Sequence, residues 1–131
     1  MKEDYMEKIL VVDDAKINRM ILIEILKDRY EVLEAEDGLE AVAVFRRHED
    51  EIPVVLLDAV MPVLGGYEFL AEARREGWLD KTKVIMISTD YSEALVKRAL
   101  DEGACDFIAR PVDGKTVLEK VERAVSRGSV I

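Results

Sequence analysis

The stretch IPVVLLDAVMPVLGGY, residues 52–67, decides the fold that this sequence predicts. The apolar run 54–57 leads into Asp58, and the chain then breaks at Pro62 and at the glycine pair 65–66. An apolar run of this length without alternation indicates a strand buried on both faces, which is typical of a parallel sheet covered by helices. Asp58 then lies at the carboxyl end of a central strand, the edge at which open α/β sheets bind ligands.

Length and composition favour one compact domain. The chain has 131 residues, of which 50% are hydrophobic, and its net charge of -9 opposes binding to nucleic acid or to an anionic membrane. The single cysteine, Cys105, excludes an internal disulfide and fits the reducing cytoplasm. No apolar stretch approaches the roughly 20 residues of a membrane helix, and the first residues do not resemble a secretory signal. We therefore expect a cytoplasmic protein without direct nucleic-acid or membrane binding.

Short strand-like runs alternate with longer helical patterns along the chain. The predicted strands cover residues 8–12, 30–35, 54–57, 83–87 and 106–109, and a helical pattern follows each of them. Five such units with short connections imply right-handed crossovers and a doubly wound α/β fold with helices on both faces of the sheet. We expect a single domain over 1–131 with a core of about 7–126, and ends that fray or belong to a truncated linker.

Two local features of the helices are also predicted. The first helix carries an apolar face at Ile17, Ile21, Leu22, Ile25 and Leu26. The fourth helix begins at a run, residues 90–93, with capping-box spacing, so Asp90 is expected to be its N-cap.

Polar residues follow the predicted strands at one edge of the sheet: Asp13, Asp14, Asp58, Ser88, Thr89 and Arg110. Two carboxylates about 4 Å apart repel by on the order of 4 kcal/mol at an effective dielectric near 20, so three of them require a cation. Mg²⁺ suits such oxygen ligands when a phosphoryl group completes the site. Asp58 can then be a nucleophile that forms an aspartyl phosphate, with Arg110 and Ser88 stabilising the incoming charge.

Four motifs in this order resemble one known family. They are Asp13–Asp14 after KILVV, LLDAVMP around Asp58, Ser88–Thr89 after VIMI, and Arg110–Pro111. Over about residues 7–126 the chain resembles a two-component response-regulator receiver domain of the chemotaxis-regulator type. The resemblance implies a flavodoxin-like three-layer sandwich with a five-stranded parallel sheet in the order 2-1-3-4-5.

The resemblance also implies a function and its residues. Asp58 would accept a phosphoryl group from a sensor histidine kinase or a phosphotransfer protein. The implied Mg²⁺ ligands are Asp13, Asp14, Asp58 and the backbone carbonyl of Val60. Ser88 would be the switch hydroxyl and Phe107 the aromatic whose rotamer follows it.

The same resemblance describes how the signal leaves the domain. The peptide bond before Pro111 is expected to be cis. Phosphorylation of Asp58 would repack the face formed by the fourth helix, the fifth strand and the fifth helix. This face would then bind an output domain, a target protein or a second copy.

Several residues depart from the family pattern. Arg110 stands where the family has a lysine, and its planar fork differs from an ammonium in reach and geometry, so we expect phosphorylation with altered coupling to the switch. Thr89 replaces a smaller residue and can crowd the phosphoryl group. Val60 and Asp90 match positions that tune the lifetime of the phosphorylated state. Since an apolar Val60 cannot orient a water, slow autodephosphorylation is expected.

Each site residue also has an ordinary structural interpretation. Asp14 and Asp90 can be helix caps, Ser88 and Thr89 turn residues, Arg110 a surface ion pair and Phe107 a core residue.

Two other functions therefore stay open beside the phosphoacceptor. One is a pseudo-receiver that binds a partner without phosphorylation. The other is a phosphatase of the haloacid-dehalogenase type, which needs a second aspartate where this chain has Val60. The sequence favours a signalling domain rather than an enzyme.

Overall fold

Five parallel strands form the centre of the molecule. The computed structural model describes residues 5–129, with side chains described as far as residue 126. The strands are β1 (Lys8–Val12), β2 (Glu31–Ala35), β3 (Val54–Asp58), β4 (Lys83–Ser88) and β5 (Asp106–Ala109). They pair in the order β2-β1-β3-β4-β5, and every pairing is parallel. The predicted doubly wound flavodoxin-like α/β fold is thus confirmed.

Five helices connect the strands. They are α1 (Lys16–Leu26), α2 (Gly38–Arg47), α3 (Gly66–Arg75), α4 (Glu93–Asp101) and α5 (Gly114–Ser129), with a short 3-10 turn at Trp78–Asp80 before β4. Within the described residues, no helix combines the length and the apolar composition needed to cross a membrane. Of the ends predicted to fray, residues 127–129 belong to α5, whereas residues 1–4 and 130–131 lie outside the described part.

The core lies on both faces of the sheet. Alternate residues of the strands point to opposite sides, so that Leu10 and Leu57 belong to one apolar cluster while Val11 and Leu56 belong to the other. The first cluster includes residues of α2 and α3, and the second includes residues of α1 and α5. Every residue of β3 is buried, which is why its sequence shows an unbroken apolar run.

The apolar face predicted for α1 is only partly buried. Leu22 and Leu26 are buried against the sheet, but Ile17 and Ile21 are 62% and 44% exposed. The apolar spacing of α1 thus extends beyond its buried part, because the first turns of the helix stand beside the carboxyl edge of the sheet. There Ile21 lines a surface cavity with the β5–α5 connection, which includes Pro111.

The start of α3 lies against the end of β3 at a glycine. The Gly66 N–H donates to the Ala59 carbonyl at 3.1 Å, and a Cβ placed on Gly66 would lie 2.3 Å from the carbonyl oxygen of Asp58. No side chain fits between the two backbones at this distance. The absence of a side chain at Gly66 therefore allows α3 to begin directly against Asp58, the residue predicted to accept phosphate.

The preceding loop contains a strained turn. Val63 has a φ of +70°, and the N–H of Leu64 donates to the carbonyl of Pro62 at 2.8 Å across it. A hydrogen bond spanning three residues with positive φ at the centre is a γ-turn of the rare, strained kind. Because Val63 is β-branched and 76% exposed, neither its shape nor its burial favours this conformation.

The fourth helix begins later than the capping-box spacing predicted. Its N-cap is Ser92, whose Oγ accepts from the N–H of Leu95 at 3.4 Å. Asp90 instead accepts from the N–H of Ser92 at 3.2 Å, which closes a turn before the helix. The expected N-cap role of Asp90 is therefore wrong, because the first helical residue is Glu93 and Asp90 lies two residues before the N-cap, Ser92.

Candidate functional site

Three carboxylates meet where β1 and β3 end. One oxygen from each of Asp13, Asp14 and Asp58 lies within 4.8 Å of the other two. Asp13 is fully buried, Asp58 is 8% exposed and Asp14 is exposed to solvent. Buried carboxylates at this spacing repel each other strongly, and hard oxygen ligands are those that Mg²⁺ prefers. The donor set therefore fits a divalent cation of this type.

Asp13 is held in place from several sides. Its Oδ1 accepts from the backbone N–H of Ala15 at 2.9 Å and from the side-chain amide of Asn18 at 3.5 Å. Arg19 donates to the Asp13 carbonyl at 2.8 Å and to Glu34 at 2.8 Å. The two contacts to Oδ1 orient the Asp13 carboxylate, and Arg19 holds the backbone at this residue.

Asn18 and Arg19 were not predicted as site residues. Both lie on α1, where polar residues at the surface of an amphipathic helix are ordinary. The only sequence signal was their position about one turn after the Asp13–Asp14 pair.

Arg110 bridges two of the three acids. Its Nη1 donates to Asp58 Oδ1 at 3.2 Å and its Nη2 donates to Asp13 Oδ2. Only 13% of its side chain is exposed, so this is a largely buried ion pair rather than one on the surface. The peptide bond between Arg110 and Pro111 is cis, as the resemblance predicted.

The ionisation of Asp58 reflects these surroundings. Burial, and secondly the negative charge of Asp13, raise the pKa of Asp58 from 3.8 to about 6. The guanidinium of Arg110 and the N–H of Val60, which lies 3.5 Å from Asp58 Oδ1, act in the opposite direction. At pH 7 Asp58 is therefore mainly a carboxylate, the form that a nucleophile requires.

Ser88 lies at the end of β4 next to these acids. It is 5% exposed, and its Oγ accepts from the N–H of Asp90 at 3.0 Å. Among the described residues no acceptor takes the Ser88 hydroxyl proton. The hydroxyl thus keeps a donor for an incoming oxygen anion.

The remaining predicted residues lie around this centre. Thr89 is exposed and, with Arg110 and Pro111, lines a cavity of about 390 Å³. Phe107 is 9% exposed and belongs to the apolar core rather than to the acidic cluster. Val60 is 75% exposed at the mouth of the site, and the role of its carbonyl as a metal ligand stays a prediction.

Comparisons with known proteins show which family this chain resembles. Residues 9–122 match the family model of the response regulator receiver domain. The chemotaxis protein CheY of Listeria monocytogenes is 40% identical over 122 residues, which are 91% of this chain and 98% of that protein. The CheY of Bacillus subtilis is 34% identical, again over 91% of this chain and 98% of its own length.

Solved structures show the same likeness. The chemotaxis protein CheY4 of Vibrio cholerae has a TM-score of 0.84 and 30% identity, and the match covers 92% of this chain and 99% of that one. A chain of the CheX-CheY-BeF3-Mg²⁺ complex of Borrelia burgdorferi has a TM-score of 0.83 and 34% identity, with 88% and 87% of the two chains covered.

Proposed function

Because the chain belongs to the response regulator receiver family, we propose that Asp58 accepts a phosphoryl group from a sensor histidine kinase or a phosphotransfer protein in the presence of Mg²⁺. One observation carries this proposal: Asp58 closes a cluster of three carboxylates at the end of the central strand, with Arg110 in contact and Ser88 at the end of the next strand. Members of this family are signalling domains, and this chain is proposed to act as one.

The proposed transfer uses groups that are already in position. An oxygen of the Asp58 carboxylate attacks phosphorus, the bond from phosphorus to the donor's imidazole nitrogen breaks, and the electron pair stays on that nitrogen. Mg²⁺, held by Asp13, Asp14, Asp58 and the carbonyl of Val60, would neutralise the phosphoryl oxygens. Ser88 would donate a hydrogen bond from its hydroxyl to one of these oxygens, and the positive charge of Arg110 near the site would favour the incoming phosphoryl group.

The proposed output is a change on the face formed by α4, β5 and α5. Ser88 holds the N–H of Asp90 at the start of the loop to α4, so a Ser88 that turns towards a phosphoryl group releases this loop. On α5, Lys120 donates to Asp106 at 2.8 Å and to the carbonyl of Phe107 at 2.9 Å. A change in the rotamer of Phe107 would thus alter the contact with Lys120, which belongs to a charged surface suited to an output domain, a target protein or a second copy.

Docking of the phosphodonor is proposed at the exposed surface of α1. There Ile17, Met20 and Ile21 are 62%, 52% and 44% exposed, and Ile21 also lines the cavity. Exposed apolar side chains grouped in this way are typical of an interaction surface. The chain has a single cysteine, Cys105, and therefore no internal disulfide, which is compatible with the cytoplasm as the proposed place of action.

We further propose that the phosphorylated state decays slowly. Val60 projects into solvent beside Asp58, and its apolar side chain offers no group that could orient an attacking water. The same residue opposes the phosphatase alternative, because that chemistry needs a carboxylic acid at this position.

One observation favours a pseudo-receiver as the second candidate. Arg110 already satisfies Asp13 and Asp58, so the acid pair has a counter-ion within the protein. A domain of this kind would keep its binding surface without accepting phosphate.

Incubation with Mg²⁺ and acetyl phosphate or phosphoramidate, followed by intact mass, separates the two candidates. We expect one phosphoryl adduct on the wild type, none on Asp58→Asn and none when EDTA replaces Mg²⁺. A wild type that behaves as Asp58→Asn does would refute phosphorylation and leave the pseudo-receiver.

A further inference from the structure

We propose that Arg110 is a built-in counter-ion that competes with Mg²⁺ for Asp13 and Asp58, so that metal binding requires its guanidinium to move away. This inference rests on the proposed Mg²⁺ site and adds a regulation to it. The Mg²⁺ concentration at which the site becomes competent would then be set by an arginine rather than by the acids alone.

The hydrogen bonds of Asp13 support competition for the same atom. Its Oδ1 is occupied by the N–H of Ala15 and by Asn18, which leaves Oδ2 as the oxygen that faces the cluster. Arg110 Nη2 donates to this Oδ2. Each of these oxygens can still accept a further ligand, but a cation bound at Oδ2 would bring its charge against the guanidinium on the same atom, whereas a cation at Oδ1 would compete with the Ala15 hydrogen bond.

The two carboxylate oxygens of Asp58 differ in their hydrogen bonds. Oδ1 accepts from Arg110 Nη1 at 3.2 Å and lies 3.5 Å from the N–H of Val60. Within residues 5–126, no protein group donates a hydrogen bond to Oδ2. The guanidinium thus occupies the acid pair while leaving one oxygen of the nucleophile open.

In the metal-free site Arg110 offsets part of the negative charge of these two acids. Asp13 and Asp58 are buried, and among the described residues no buried side-chain nitrogen or oxygen lacks a hydrogen-bond partner. A buried carboxylate pair without a cation would be costly, and the fork of Arg110 supplies one positive charge to both. A bound Mg²⁺ brings two positive charges to the same place, so the guanidinium would then be repelled.

The cavity beside Arg110 gives the displaced side chain a place to go. It has a volume of about 390 Å³ and is lined by Asn18, Thr89 and Pro111 as well as by Arg110 itself. The lining is mostly apolar, and Asn18 and Thr89 are its polar residues besides Arg110. The cavity therefore offers room for the displaced side chain at the surface of the protein.

The test compares Mg²⁺ affinity in four proteins by isothermal titration calorimetry. The variant Arg110→Gln frees both acids, whereas Arg110→Lys keeps the charge but replaces the fork by a compact ammonium. Arg19→Gln is the matched control, since Arg19 contacts the carbonyl of Asp13 and leaves its carboxylate oxygens untouched. We expect the Mg²⁺ dissociation constant to fall on the order of tenfold or more in Arg110→Gln, and by an intermediate factor in Arg110→Lys.

The control decides between competition and simple loss of charge. An Arg110→Gln protein whose affinity rises no more than that of Arg19→Gln would overturn the inference, because both variants remove one positive charge near the acids. Absence of Mg²⁺ binding in all four proteins would overturn it as well.

A second readout follows the arginine itself in the wild type. The side-chain Nε–H resonance of Arg110, assigned by its absence in Arg110→Lys, is expected to shift on titration with Mg²⁺ while that of Arg19 shifts little. Equal small shifts for both arginines would contradict displacement. This measurement is made on the wild type, and the variant Arg110→Lys is needed only to assign the resonance.

The two proposals fail separately. If the wild type forms the phosphoryl adduct but all variants bind Mg²⁺ equally well, the phosphoacceptor function stands and the competition is refuted. If the affinities rank as expected but no adduct forms on the wild type, the competition stands and the phosphoacceptor function is refuted.

Discussion

Arg110 and Asp58 are joined by a hydrogen bond of 3.2 Å from Nη1 to Oδ1, although β4 lies between the strands that carry them. The two residues are 52 positions apart in the chain. This contact links the proposed phosphoacceptor of the central strand directly to the end of β5 and the start of the α5 connection. A change of charge on Asp58 therefore acts on β5 without passing through the core.

The stability of the metal-free protein should depend on pH through Asp58. Its pKa is raised from 3.8 to about 6, so between these values the folded protein retains a proton that the unfolded chain has released. The free energy of unfolding is therefore expected to fall as pH rises through this window and to level off above it. Urea unfolding in EDTA at several pH values measures this.

The variant Asp58→Asn provides the reference for that experiment. It removes the titrating group while keeping a similar shape. The difference in unfolding free energy between wild type and variant therefore gives the pH-dependent contribution of Asp58. A difference that stays constant from pH 4 to pH 7 would contradict the raised pKa.

Replacing Gly66 by alanine should destabilise the fold. Its Cβ would lie 2.3 Å from the carbonyl oxygen of Asp58, so α3 or the end of β3 must shift, at a cost of about 1 to 3 kcal/mol. The matched control is Gly114→Ala, where the nearest atom to the new Cβ, on Ile25, lies at 3.7 Å. Urea unfolding should show no loss there, and equal losses in both variants would argue against the close contact.

Replacing Val63 by asparagine should stabilise the protein by about 1 kcal/mol. Asparagine tolerates positive φ better than a β-branched residue does, and Val63 loses little buried surface because it is 76% exposed. The control Val60→Asn changes an equally exposed valine without positive φ and should alter the unfolding free energy by less than about 0.5 kcal/mol. Thermal melting that ranks the two variants in the opposite order would contradict the strained turn.

Replacing Ser88 by alanine should affect both stability and phosphorylation. The N–H of Asp90 loses its acceptor, which costs about 0.5 to 1.5 kcal/mol of unfolding free energy. A hydrogen bond to a charged oxygen is worth roughly 1.5 to 3 kcal/mol, so the adduct with acetyl phosphate should form about ten to a hundred times more slowly. Ser88→Thr keeps the hydroxyl and should restore most of both losses, and a threonine variant as slow as the alanine variant would exclude this role.

The strands and most of the site followed from patterns in the chain, whereas the strand order 2-1-3-4-5 was implied by the family resemblance. The bounds of β1 and β5 agree with the predicted ones, since short apolar runs between turn residues identify buried strands well. The carboxylates Asp13, Asp14 and Asp58 meet because a parallel sheet brings the carboxyl ends of its strands to one edge.

Other features depended on contacts that no local pattern contains. The exposure of Ile17 follows from the position of α1 relative to the sheet edge, which helical periodicity does not define. Ser92 rather than Asp90 caps α4 because both residues suit a cap and only the backbone path selects one. The bond from Arg110 to Asp13 spans 97 residues and depends on a side-chain rotamer. No sequence pattern indicated the positive φ of Val63, because valine rarely adopts this conformation.

Trp78 gives these experiments an internal optical probe. It is the only tryptophan, it lies just before β4 and thus near the sheet edge opposite the acids, and its ring is 4.4 Å from that of Phe45 and 6.2 Å from that of Phe69. Unfolding separates these rings, whereas events at Asp58 take place at the other end of the strands. Intrinsic fluorescence should therefore follow global unfolding of every variant without a label and without direct quenching by a bound metal or phosphoryl group.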